Sequence, residues 1–146
     1  MDKTKYGKYF ISSFTETKEK GAWNRNLKIK DETPLLRIDG DIIKGITCFA
    51  QCNWFWPSLM KIKVEDRSTR PHSHTYDEVI GFIGTNFDDP ADLGGEIEIN
   101  MGGEKHILTK SSLVFIPAGL EHGPFRELRM DRPIFLCEFG LSGTHD

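Results

Sequence analysis

From Lys28 onward the apolar residues fall in short runs separated by turn formers. Eight of these runs read as strands: residues 34–40, 45–56, 59–66, 78–84, 95–101, 105–109, 112–117 and 133–140. Several alternate with period two, as a strand with one buried face requires. Met60, Ile62 and Val64 share one face of the third run, with Lys61, Lys63 and Glu65 on the other. Ile97 and Ile99 alternate with Glu96, Glu98 and Asn100. Gly102-Gly103 separates two runs and suits a two-residue hairpin turn, because both positions need a backbone that only glycine adopts cheaply. No long stretch sustains a helical period. Strands at roughly 8–12-residue spacing predict an all-β sandwich or barrel. Residues 1–26 are polar and mixed in charge, with Lys8–Ile11 the only apolar cluster, and read as an N-terminal arm; residues 27–146 read as one domain.

Composition narrows the picture further. The chain has 146 residues, enough for one domain with a real core. With 19 basic against 22 acidic residues it lacks the basic footprint of a non-specific nucleic-acid binder. No window approaches the 18 apolar residues of a membrane span, and the N-terminus has no apolar run for a signal peptide, so a cytoplasmic location is expected. Three cysteines make no disulfide framework and suit a reduced compartment. Cys48 and Cys52 form C-x3-C, but two further ligands at comparable spacing are missing, so buried strand thiols are the simpler reading. Asp88, Asp89 and Asp92 lie in the loop-like segment 84–95 without calcium-loop spacing. No phosphate-binding glycine loop and no serine-hydrolase elbow is present.

The chemistry is concentrated in Pro71-His-Ser-His-Thr-Tyr-Asp-Glu78. On a strand, His72, His74 and Glu78 share parity and point the same way. Two imidazoles and a carboxylate on one wall make most of a first-row transition-metal site. A turn at Pro117-Ala-Gly119, following an apolar strand, launches His122 into a new strand 44 residues after Glu78 and supplies a third imidazole from a second wall.

These two segments resemble the paired motifs of the cupin superfamily, G-x5-H-x-H-x3,4-E-x6-G and G-x5-P-x-G-x2-H-x3-N. The matches are His72-x-His74-x3-Glu78 and Pro117-x-Gly119-x2-His122, and the resemblance spans roughly residues 35–141. The chain departs from the pattern at Asp66 and Ser111, where the motifs open on glycine, at Gly84, which arrives one residue early, and at Arg126, in place of asparagine. The resemblance implies a cupin-type double-stranded β-helix, a jelly-roll barrel, with a divalent transition metal (Fe, Mn, Ni or Zn) held inside by His72, His74, Glu78 and His122. It also implies a homodimer.

Parity extends the pocket. Tyr76 lies between His74 and Glu78 and should face inward, as a hydrogen-bonding group, an acid, or an ordinary core tyrosine. Arg126 shares parity with His122, and Arg70 with His72. An inward arginine beside a cation needs an anion between them, so either would suit a small carboxylate; at the rim, both would face solvent. Trp54, Trp56, Phe82, Phe115, Phe135 and Phe139 are strand aromatics expected to pack, some lining the cavity. His106 and His145 fall outside the motifs. Two functional readings follow. One is a metal-dependent enzyme, either a dioxygenase or an isomerase or lyase, acting on a small anionic or carbonyl-bearing substrate. The other is a non-catalytic sensor or carrier of a metal or small ligand, with no nucleic-acid or membrane partner in either case.

Overall fold

The strand pattern becomes two antiparallel sheets in the computed structural model, which describes residues 4–14, 31–67 and 70–144. The strands are β1 (Glu32–Ile38), β2 (Phe49–Phe55), β3 (Glu78–Gly84), β4 (Asp92–Met101), β5 (Glu104–Lys110), β6 (Ser112–Ile116), β7 (His122–Met130) and β8 (Ile134–Gly140). One sheet has the order β1-β2-β8-β3-β6, the other β5-β4-β7. Every strand pair is antiparallel. Facing apolar residues from both sheets fill the space between them: Phe55, Ile80, Phe82, Leu136 and Ile134 from one side, Leu93, Ile97, Ile99 and Met130 from the other. Burial alternates along β2, with Phe49, Gln51, Asn53 and Phe55 buried and Ala50, Cys52 and Trp54 on the opposite face. β4 and β5 are joined by Gly102-Gly103, with φ of 56° and 85°, the hairpin the sequence predicts.

One predicted strand is not a strand. Residues 59–66 form part of a 3-10 helix, Pro57–Lys61, followed by a single α turn, Val64–Arg67. Pro57 fixes φ and has no N–H to give a sheet ladder, so it favours the first turn of a helix. That turn buries Leu59 completely while its neighbour Met60 also packs on the core, which strict alternation could not do.

The cysteine expectation also needs correction. Cys48 precedes β2 and is exposed, while Cys52 and Cys137 are half-buried strand residues. Among the aromatics, Phe82 is core; Phe115 and Phe139 are about half exposed. Within the N-terminal arm the described part holds one 3-10 turn, Gly7–Tyr9; the boundary at residue 26 and His145 lie outside the described residues. No helix among the described residues is long and apolar enough to cross a membrane.

Candidate metal centre

The ligand segment reaches the site without forming a continuous strand. His72 makes an isolated bridge with His122, the two exchanging backbone hydrogen bonds of 2.9 and 2.8 Å, and regular pairing begins only at Glu78. Side-chain alternation survives the irregular stretch. Ser73, Thr75 and Asp77 are exposed, whereas His74, Tyr76 and Glu78 are buried and His72 is half-buried. The Pro117–Gly119 turn is tied to the same segment. Gly119 N donates to the His74 carbonyl at 2.7 Å, and Ala118 N donates to the Asp77 carboxylate at 2.9 Å. Gly119 has φ of 82°, which lets the chain reverse and send His122 into β7. Asp77 thus joins the two ligand segments, a role its exposed position in the sequence pattern did not reveal.

The three imidazoles converge. One ligand atom each from His72, His74 and His122 lie within 4.8 Å of one another, so these residues could hold a metal ion. His74 Nε2 is 3.3 Å from one oxygen of Glu78, and His122 Nε2 is 3.9 Å from the other. The outer nitrogens are held by backbone. His72 Nδ1 donates to the Arg70 carbonyl at 2.7 Å, and His122 Nδ1 donates to the Leu120 carbonyl at 2.9 Å. Each bond assigns the proton to Nδ1 and leaves Nε2 as the lone-pair nitrogen, which is how metal-binding histidines are oriented. The donor set therefore fits a first-row divalent ion.

Aromatic rings fix the imidazoles in place. Tyr76 stacks on His74 with ring centroids 4.9 Å apart, and Phe125 stacks on His122 at 6.1 Å. Phe49 meets Tyr76 edge-on at 5.8 Å. Both rings lie over Gly140, which pairs with Glu78 across β8 and β3. A Cβ on Gly140 would come within 2.1 Å of Phe49 and 2.9 Å of Tyr76, so a bare Cα is required there. Phe49 and Phe125 were not singled out in the sequence.

Arg126 lies elsewhere. Between Ile99 and Met101 of β4 the pairing slips, with Ile99 opposite Phe125 and Met101 opposite His122. The extra residue on β7 reverses parity, so Phe125 follows His122 to the inner face and Arg126 takes the other. Its guanidinium sits 3.4 Å from Glu98, which also binds Lys105 Nζ at 2.8 Å. The hydrogen bond from Lys105, with Arg126 adding to it, holds the Glu98 carboxyl below its ordinary range against the opposing effect of burial. Arg70 is exposed, and only its carbonyl touches the site. His106 is exposed, 3.3 Å from Glu104.

The same architecture recurs in solved structures. An oxalate oxidase in complex with glycolate superposes with a TM-score of 0.53 at 14% identity, covering 94% of this chain and 61% of its own. An RmlC-like cupin from Shewanella frigidimarina matches with a TM-score of 0.48 at 16% identity, covering 93% of this chain and 96% of its own. A cupin-2 domain protein from Rhodospirillum rubrum gives 0.47 at 12%, covering 94% and 71%. The fold is the cupin fold. No family model and no curated protein matches the sequence. At these identities the likeness shows architecture alone, so the chemistry of this cupin barrel is argued from its own residues.

Proposed function

We propose that this cupin barrel is a metal-dependent enzyme, with His72, His74, Glu78 and His122 binding a divalent transition ion: iron, manganese, nickel or zinc. The observation that carries the proposal is the meeting of three imidazoles within 4.8 Å beside the Glu78 carboxylate. Four protein donors leave positions open on an ion that takes five or six ligands. A bound ion there supplies Lewis acidity and, for iron or manganese, redox chemistry, which suits a dioxygenase or an isomerase or lyase.

The chain's own groups do the rest. Glu78 places its carboxylate among the three imidazoles, buried at 2% exposure. Tyr76 acts first as a positioning residue, through its stack on His74. Phe49, through Tyr76, and Phe125, against His122, put apolar surface behind the ligands. Arg126, engaged by Glu98, does not supply the anion contact that an inward arginine would, so a small carbonyl-bearing molecule is the favoured substrate.

Anaerobic purification and elemental analysis test the proposal. About one transition ion per chain is expected, lost in His72→Ala/His74→Ala. A panel of small hydroxy- and keto-compounds, with and without oxygen, then separates the reactions. A full metal load in the double variant would overturn the ligand assignment. Metal binding without turnover across the panel would favour the carrier or sensor reading.

A further inference from the structure

The cupin barrel's outer surface carries a chemistry unrelated to the imidazole cluster. Cys52 on β2 and Cys137 on β8 are direct partners in the antiparallel pairing. Both alternate with buried neighbours, Gln51 and Asn53 on one strand and Leu136 and Glu138 on the other, so both thiols stand on the same outer face. Opposed residues in such a ladder have Cα atoms about 4.5–5.5 Å apart, inside the range of about 4.4–6.8 Å that a disulfide spans. In the same cross-strand row, Cys137 is followed by Gly81 on β3. A Cβ on Gly81 would lie only 2.5 Å from Cys137 Sγ, so the thiol occupies the space above that bare Cα. Cys137 therefore has two seats: one over Gly81, and one reached by turning its side chain toward Cys52.

We propose that Cys52 and Cys137 form a reversible cross-strand disulfide, a redox modification site that staples β2 to β8. The co-reactant is a small-molecule disulfide such as oxidised glutathione. One cysteine thiolate attacks it, forming a mixed disulfide and releasing one glutathione thiolate. The second cysteine attacks the protein sulfur of that mixed disulfide and releases the second glutathione. Two protein thiols are oxidised, one glutathione disulfide is reduced, and the two thiol protons end on the two glutathiones. Burial pushes both thiols above their ordinary range, and for Cys137 the nearness of Cys52 adds to this, so the exchange runs faster as pH rises. Exposed Cys48 has no partner in the row and serves as an internal control.

The test equilibrates the full chain with reduced and oxidised glutathione, blocks remaining thiols with N-ethylmaleimide, and maps peptides by mass spectrometry. The expected product is a linked pair of peptides containing Cys52 and Cys137, two hydrogens lighter than the reduced pair and reversed by dithiothreitol, with Cys48 carrying glutathione or the maleimide. The oxidised form should melt about 5–10 °C higher, since the bond closes a long loop. Cys52→Ser should abolish the linked peptides and leave Cys137 as a stable glutathione adduct. Gly81→Ala, which fills the first seat, should raise the oxidised fraction at a fixed glutathione ratio. Separate adducts on Cys52 and Cys137, or a link between Cys48 and Cys52, would overturn the proposal.

Discussion

His72 and His122 pair through both backbone groups, so the two ligand segments are joined at the ligands themselves. The rings stand with centroids 4.4 Å apart because the chain beneath them is bridged. Metal affinity should therefore depend on the bridge as well as on the rings. His122→Ala is expected to lower affinity for Zn²⁺ or Mn²⁺ by at least tenfold, measured by competition with a chelator. Asp77→Ala, which removes the acceptor for Ala118 N and is no ligand itself, should lower it by a smaller factor. Equal affinity for the Asp77 variant and the native chain would show that the clamp does not position His122.

Gly140 gives a steric prediction. Gly140→Ala drives a methyl into Phe49 and Tyr76, which in turn hold His74. Overpacking of this kind costs about 1–3 kcal/mol. The variant should unfold at lower urea concentration and bind metal more weakly. Gly140→Ala combined with Phe49→Leu makes room for the methyl and should recover part of both losses. Failure of that rescue would mean that the strain is carried by backbone and not by the rings.

The spacing of His72, His74 and Glu78, followed by the Pro-Gly turn before His122, was legible because alternation persists through the irregular segment. Burial follows parity from Ser73 to Glu78 even where ladder hydrogen bonds are missing. Arg126 was misplaced by the same rule, since one slipped residue in the β4–β7 pairing exchanges the faces. Residues 59–66 misled for a related reason. Their apolar positions fit a strand face and a helical turn equally well, and Pro57 decides between them. Asp77, Gly140 and Phe49 acquire their roles only through neighbours distant in sequence, and no local pattern announces such contacts.

Arg126→Ala provides a check on that exchange of faces. Its guanidinium is partly exposed and pairs with Glu98 on the face opposite His122 and Phe125. Stability should change by no more than about 1 kcal/mol, as for other exposed ion pairs. Metal affinity and any turnover found in the substrate panel should stay within about twofold of the native chain. A loss of turnover with unchanged metal load would return Arg126 to the pocket and restore the anionic substrate.

The Glu98–Lys105 pair predicts a pH signature. Glu98 has its pKa lowered in the folded chain, chiefly by the Lys105 hydrogen bond. A group with a depressed folded pKa contributes stability that is present above its unfolded pKa, near 4.5 for glutamate, and is lost as pH falls through the folded value. Lys105→Met should therefore lower the melting temperature by about 1–3 °C at pH 7, a modest effect because the lysine is 62% exposed. The deficit should hold steady down to about pH 5 and shrink toward zero below the ordinary glutamate range, because protonated Glu98 no longer distinguishes the two chains. It should also fall in high salt, which screens an exposed pair. A deficit that grew on acidification would mean that Lys105 stabilises the fold through its aliphatic stem and not through Glu98.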